Sequence, residues 1–509
     1  MPAAAQAAAS ASCATAGCPP PAFSLLRVRG LPQEHSCGML GAQLADVLGG
    51  GHVRYMLISN YMIDMAWLLS AVPSILDADQ VLLVHGERKS PMAVKMMTDA
   101  AQGRRWTVHA PPLRDQWGVH HSKAFLLHFD RGLRVIVMTA NLIYQDCNLK
   151  TQGLWYQDFP RKAAGTSSDQ ASSSFEAALT DYVNALRLPL QAAKQARAII
   201  AEHDFSSARA HLVTSVPGYH TGADMRKYGH MRVRELLRGE TFPSNFQHSP
   251  LVAQFSSMGS VNTKWLEELQ HSFAQGTYHD GQVTRPLGKP EDFRVVWPTV
   301  SAVRDSNEGW FAGCSIPGSA ANVLRAAKGC TVPMLKQHWC IWDGNPTAVG
   351  RQHAMPHIKT YLRHRGQEVA YLVVTSHNLS KAAWGVLQKG ETQMYIMHYE
   401  LGVMLLPSLE QAYRSHEHFG FSCTSIAPQP SRAGEPEDVQ FWAKGGVDTH
   451  SSAATSDAYA VELPVPYMLP PQRYGASDEP WRVGEAFSGL DSKGCTVQES
   501  FERNSHYGN

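Results

Sequence analysis

The sequence predicts an α/β protein built as two similar α/β/α halves related by a pseudo-twofold axis, with its working residues at their interface. Three observations predict it. A chain of 509 residues is too long for one ordinary core. Short runs of branched apolar residues alternate with stretches of helical period, the pattern of helices layered on a buried sheet. One block of sequence occurs twice, about a domain apart.

Taken in order, residues 1–22 are rich in alanine, and no Lys or Arg precedes Arg27, so the charged region of a secretory signal and the arginines of a mitochondrial presequence are missing. They read as a disordered lead-in, with ordered sequence from Phe23. The first half spans 23–208, with buried strands at 81–84 (VLLV) and 133–138 (LRVIVM), a surface insertion at 162–174 and a helix at 175–186. A boundary at 208–212 opens the second half, 209–509, with a helix at 231–237 and strands at 293–297 (FRVVW) and 370–374 (AYLVV). Residues 427–458, rich in Pro, Gly, Ser, Thr and Asp, read as a low-complexity surface loop.

The first copy of the repeat is HHSKAFLLHFDRGLRVIVMTANL and the second PHIKTYLRHRGQEVAYLVVTSHNLS. Each holds His-x-Lys, an apolar stretch, a turn, a strand, and then a Thr-containing stretch ending in Asn-Leu. The His-to-Asn spacings are 20 and 21 residues, and the copies lie 236 residues apart. On a strand, residues i and i+2 share a face, so His121 can act with Lys123 and His357 with Lys359. Asn141 and Asn378 fall just past strand ends, where a loop can turn an amide inward.

Two His, two Lys and two Asn converging on one centre suit a tetrahedral phosphate. Ammonium groups neutralise the non-bridging oxygens and amides bind them with fixed geometry. One imidazole can attack phosphorus while the other handles protons. The lysines supply the charge a cation would bring, and no compact Asp/Glu cluster suggests a two-metal site, so neither metal nor cofactor is expected. A single His-x-Lys arises often by chance; two copies at matched distance from Asn do not.

Composition narrows the setting. Formal net charge is +1, so a nucleic-acid surface would have to be local. The nine cysteines are odd in number and form no C-x-x-C pair, against a disulfide framework or structural zinc. No apolar run reaches the roughly 18 to 20 residues of a membrane span, so no membrane partner is expected.

These motifs resemble the phospholipase D superfamily, whose pattern is His-x-Lys followed by Asp. The chain departs from it: His128 and His364 stand where Asp is usual. That departure, with the Asn retained, is similar to the tyrosyl-DNA phosphodiesterase branch, as are the blocks SNYMIDMAWLL, KTQGLW, QFSSMGS, MPHIKTYLR, TSHNLSKAAWG and PVPYMLPPQRYG, from Tyr55 to Trp481. The resemblance implies a phospholipase D-like fold and these roles. His121 is the nucleophile; His357 is the general acid, then the base. Lys123, Lys359, Asn141 and Asn378 hold the phosphate. Gln152 and Glu400 support the two histidines; a carboxylate beside an imidazole fixes its tautomer. Trp117 stacks on a nucleobase, a contact worth about 1 to 3 kcal/mol; the competing reading is a buried core tryptophan. Ser256, Ser257, Ser260, Ser380 and Lys381 match backbone-gripping positions, with loop caps as the alternative for the serines. Tyr61 faces the peptide side or is a core tyrosine.

The implied function is DNA-repair hydrolysis of 3′-phosphotyrosyl ends left by stalled topoisomerase I, and of other 3′ adducts, through a covalent phosphohistidine to a 3′-phosphate. The implied partners are single-stranded, nicked or double-stranded DNA with a blocked 3′ end, a topoisomerase-derived peptide, and downstream end-processing and ligation enzymes. The implied location is the nucleus, with an organelle pool as the alternative. Rival readings are another phospholipase D-type nuclease or phospholipase, and an inert DNA-end-binding protein.

Overall fold

The structure, a computed structural model, describes residues 23–163, 173–279, 292–424, 438–446 and 458–504. Its first seven strands are β1 (Ser24–Leu25), β2 (Val53–Asn60), β3 (Val81–His85), β4 (Trp106–His109), β5 (Ala124–Phe129), β6 (Gly132–Met138) and β7 (Gly153–Pro160). They form one sheet in the order β4-β3-β2-β5-β6-β7-β1, parallel across β4-β3-β2 and antiparallel from there on.

From residue 211 the chain builds the same sheet again. Its strands are β8 (His211–Ser215), β9 (Gly218–Thr221), β10 (Thr241–Phe242), β11 (Leu251–Gln254), β12 (Thr277–Tyr278), β13 (Phe293–Val296), β14 (Trp339–Cys340), β15 (Thr360–Arg365), β16 (Glu368–Thr375), β17 (Val386–Gln388), β18 (Gln393–Ile396) and β19 (Glu400–Leu405). The order β14-β13-β11-β15-β16-β19-β8 repeats the parallel and antiparallel sequence of the first sheet pair for pair. β17, β18 and β9 make a separate small sheet, and β10 pairs with β12. The extra residue in the second His-to-Asn spacing is a β-bulge, a register shift between Arg363 and His364.

The first sheet divides its two faces between cores. Leu126 and Val135 join a large cluster shared with the second half; Phe125, Leu127 and Ile136 join a smaller cluster with Leu68 and Met97. In the second sheet, neighbours along β16 such as Tyr371, Leu372 and Val373 all belong to the shared cluster. One continuous core therefore locks the halves together.

The strands expected at 81–84, 133–138, 293–297 and 370–374 coincide with β3, β6, β13 and β16, and the helices at 175–186 and 231–237 with Ser174–Ala185 and Gly229–Arg238. The loop expected at 427–458 needs correction. Within it, β20 (Asp438–Ala443) pairs with β16 and with β21 (Ala458–Leu463). Val439, Phe441 and Ala443 alternate inward, a period-two signal hidden by the polar composition around it. The expected lead-in at 1–22, and most of the insertion expected at 162–174, lie outside the described residues.

Candidate active site

His121 and His357 line one cleft of about 510 Å³, together with Asn141, Asn378, Tyr61, Asp146, Ser256, Ser257, Ser380 and Glu400. Neither His-x-Lys motif sits on its strand, as the alternation argument assumed. Both lie on extended chain immediately before β5 and β15. Each leading segment crosses to the other half: His121 N–H donates to the carbonyl of Tyr399 at 2.9 Å, and His357 N–H to that of Thr151 at 3.0 Å. Lys123 Nζ donates to the carbonyl of His121 at 2.6 Å, and Lys359 Nζ to that of His357.

Sheet register shows which residues correspond between halves. Met138 N–H donates to the Lys123 carbonyl and Thr375 N–H to the Lys359 carbonyl, both at 3.0 Å. Met138 pairs with Leu154, and Thr375 with Gly402. Counting from these pairs, Asn141 corresponds to Asn378, Thr139 to Ser376, and Gln152 to Glu400. The shared threonine of the two motifs is thus a coincidence of letters, because Thr375 corresponds to Met138.

The supports are crossed. Glu400, from the second half, accepts a hydrogen bond from His121 Nδ1 at 2.8 Å. Gln152, from the first half, donates through Nε2 to His357 Nδ1 at 3.0 Å. Hydroxyls at matching positions fix both supports. Ser376 Oγ accepts from Leu401 N–H and donates to Glu400 Oε2 at 2.5 Å; Thr139 Oγ1 accepts from Gly153 N–H and donates to Gln152 Oε1 at 2.7 Å. With its oxygen taken by Thr139, Gln152 can only turn its NH2 to His357. His121 therefore carries its proton on Nδ1, with a bare lone pair on Nε2. Neutral His357 carries its proton on Nε2.

Asp146 breaks the symmetry. Its Oδ2 lies 3.3 Å from His357 Nδ1 and accepts Asn141 N–H at 2.9 Å. The corresponding position in the second half is Ala383, so the carboxylate has no counterpart.

Charge in the cleft is poised for an anion. Burial first, and then Lys123 and Lys359, push His121 well below the ordinary histidine range; His357 is lowered by burial, Lys359 and Lys123. Burial brings the Lys123 ammonium down to about 7, against the pull of Glu400 and Asp146, and holds Lys359 well below the ordinary lysine range, with Lys123 adding to it. Burial pushes the Asp146 and Glu400 carboxyls up. A bound phosphate would relieve the crowding of positive groups.

The remaining expected residues divide. Asn378 Oδ1 accepts from Ser256 N–H at 3.3 Å and Ser257 N–H at 2.9 Å, which frees its NH2 for the cleft. The Ser380 hydroxyl caps the short helix Lys381–Trp384, so the loop-cap reading holds there. Ser260 is exposed and, like Lys381, is not among the cleft-lining residues. Tyr61 is half-buried at the cleft, its ring edge-on to His121 at 5.4 Å between centroids, so it is no core tyrosine. Trp117 is 72% exposed, which overturns the buried-core alternative. His128 and His364 sit towards the far ends of β5 and β15, where His128 meets Arg161 and His364 meets the Gly366 carbonyl. Sequence reasoning missed Asp146, Thr139 and Ser376. The hydroxyl pair was visible in the repeat but obscured by aligning Thr139 with Thr375.

Among the described residues no cluster of three or more His, Cys, Asp or Glu side chains is disposed to hold a metal ion, and no helix is long and apolar enough to cross a membrane.

Comparison with known proteins bears on the family and the fold. The sequence model of a family described as tyrosyl-DNA phosphodiesterase matches residues 22–475. Tyrosyl-DNA phosphodiesterase 1 of Arabidopsis thaliana is 40% identical over 486 residues, covering 93% of this chain and 76% of that protein. A probable tyrosyl-DNA phosphodiesterase of Caenorhabditis elegans is 32% identical, covering 73% of this chain and 80% of that one. A crystal structure of the yeast tyrosyl-DNA phosphodiesterase superposes with a TM-score of 0.60 at 14% identity, covering 91% of this chain and 99% of that one. At that identity the superposition speaks for the fold, which is of the phospholipase D type.

Proposed function

The chain belongs to the tyrosyl-DNA phosphodiesterase family, and from that premise we propose how its residues divide the work of a DNA-repair phosphodiesterase. The observation that carries the proposal is the crossed and unequal support of the two imidazoles, a carboxylate behind His121 and an amide behind His357.

The phosphodiester enters between the histidines, its non-bridging oxygens held by Lys123, Lys359 and the amides of Asn141 and Asn378. His121 Nε2, its lone pair exposed because Nδ1–H is given to Glu400, attacks phosphorus in line with the departing tyrosine oxygen. His357 takes up a second proton as the phosphate anion arrives. Asp146 Oδ2, close to Nδ1, accepts the hydrogen bond of that imidazolium. Nε2–H then protonates the tyrosyl oxygen as the P–O bond breaks.

His357 is left neutral with its proton on Nδ1 toward Asp146 and a lone pair on Nε2. It now serves as base: it takes a proton from water, whose oxygen attacks phosphorus as the P–N bond to His121 breaks. The products are tyrosine and a DNA end bearing a 3′-phosphate, and His357 is again an imidazolium. Gln152 holds the resting ring by Nδ1, and Asp146 holds the working one.

The substrates are 3′-phosphotyrosyl ends of single-stranded, nicked or double-stranded DNA, with other 3′ adducts such as phosphoglycolate as secondary ones. A 3′-phosphate requires further end processing before ligation, so the enzyme acts upstream of such activities; the DNA substrate points to the nucleus, with an organelle pool as the alternative. The test is incubation with a 3′-phosphotyrosyl oligonucleotide in EDTA. Release of tyrosine and a 3′-phosphorylated strand is expected; an unchanged substrate would overturn the reading.

A further inference from the structure

Lys150, from the first half, and Glu308, from the second, line the cleft on the side of His357, with side chains only 1% and 8% exposed. Lys150 Nζ donates to Glu308 Oε2, an ion pair that crosses the interface. The backbone fixes both partners. The carbonyl of Thr151, next to Lys150, accepts the N–H groups of His357 at 3.0 Å and Ile358 at 2.9 Å, and the Thr151 hydroxyl donates to the Ala354 carbonyl at 2.7 Å. Glu308 precedes the short helix Gly309–Ser315, where Asn307 N–H donates to the His353 carbonyl at 2.8 Å and Trp310 N–H to Asp491 Oδ2 at 2.9 Å.

The pair stands beside Asp146. Burial pushes the Asp146 carboxyl up, and Lys150 is first among the groups that pull it back, ahead of the Asn141 N–H, Lys359 and Lys123. His357 and Cys147 also face it; burial and Asp146 push the Cys147 thiol up, so it stays neutral. The other half differs at both positions. Counting from Gln152 and Glu400, Lys150 corresponds to His398, as Asp146 does to Ala383. Burial holds the His398 ring down to about 4, against the pull of Glu400, and its Nδ1 accepts Val119 N–H at 3.2 Å. A carboxylate and a cation thus stand on the side of His357 where the side of His121 has a methyl group and a neutral ring.

We propose that Lys150 is a positioning residue: clamped by Glu308 of the other half, its ammonium keeps Asp146 a carboxylate facing His357 and thereby sets the rate of phosphohistidine hydrolysis. The inference rests on the assignment of His357 as the base of the second step. In the first step the imidazolium gives up its charge as it protonates the tyrosyl oxygen. In the second, positive charge develops on His357 as it takes a proton from water, so an ionised carboxylate at Nδ1 helps that step more. Without the cation, burial would let Asp146 hold a proton, and Nδ1–H would lose its acceptor.

The test is pre-steady-state kinetics on a 3′-phosphotyrosyl oligonucleotide, with tyrosine release reporting the first step and the 3′-phosphate the second. Lys150→Gln combined with Glu308→Gln removes both charges, leaves neither one buried alone and nearly keeps the volume. In that variant the second step is expected to slow about tenfold near neutral pH, with covalent enzyme–DNA building up on denaturing gels, while tyrosine release falls less. The rate of the second step declines as pH falls through the Asp146 pKa; loss of the cation raises that pKa, so the acid limb should move up by about one pH unit. Glu308→Gln alone keeps the cation and leaves the limb no higher than in the wild type. In an Asp146→Asn background the paired substitutions add little. Equal slowing of both steps with an unmoved pH profile would mark the pair as an interface strut and overturn the proposal. So would a loss that persists in full beside Asp146→Asn. A wild-type protein that releases no tyrosine would bring down the phosphodiesterase reading; a wild type that turns over, with a second step indifferent to the variant, brings down the role of Lys150 alone.

Discussion

The two halves repeat one sheet strand for strand, yet they place different chemistry behind the two histidines that face one cleft. The second half offers Glu400 to His121; the first offers Gln152, with Asp146 slightly farther away, to His357. A symmetric pair would give two equal bases competing for one proton. The exchange of one carboxylate for one amide at corresponding positions fixes opposite tautomers, which suits one ring to the nucleophile and the other to the proton carrier of the proposed mechanism. A duplicated fold supplies the juxtaposition, and Glu400 opposite Gln152, with Asp146 unmatched, supplies the asymmetry on which the proposed division of labour rests.

The comparison breaks most sharply at the rings. His121→Ala is expected to lower turnover at least about 10⁴-fold, with no covalent enzyme–DNA species on denaturing gels. If the roles were reversed, that variant would still trap DNA. His357→Asn is expected to slow the hydrolysis of the adduct by about 10² to 10⁴ and to let covalent enzyme–DNA accumulate, seen as a band retained in denaturant. Absence of that band would exchange or dissolve the assignments.

The supports sharpen it. Glu400→Gln puts an amide behind both histidines and should cost about 10- to 100-fold in single-turnover formation of the adduct. Asp146→Asn should spare adduct formation relative to its hydrolysis, slowing the latter about tenfold; equal losses in both steps would mark Asp146 as merely structural. The smallest effect is in pH dependence. Lys123 titrates in the free enzyme at about 7 because burial disfavours its charge. Its ammonium is the form that binds phosphate, so kcat/KM should fall as pH rises through about 7. Lys123→Arg, which keeps its charge there, should flatten that limb in a kcat/KM–pH profile.

Much of this was legible beforehand because repetition is a sequence property. His-x-Lys, a strand and Asn recur at nearly fixed distance, so the pairs His121 and His357, Lys123 and Lys359, and Asn141 and Asn378 could be named from letters. Gln152 and Glu400 share no letters; they correspond only through the pairing of Met138 with Leu154 and of Thr375 with Gly402. Asp146 carried no repeat signal, since Ala383 stands in its place. The strand at Asp438–Ala443 escaped notice because polar composition masked a short alternation of Val439, Phe441 and Ala443.

The sequence by itself determined the two-fold α/β plan, the family and the duplicated His, Lys and Asn set that we propose handles the phosphate, because local pattern and duplication are written along the chain. Which support reaches which histidine was decided only by tertiary structure. Each half reaches across the interface to the other's ring, and contacts between residues more than 200 positions apart, such as His121 with Glu400 and Gln152 with His357, exist only once both sheets share one core.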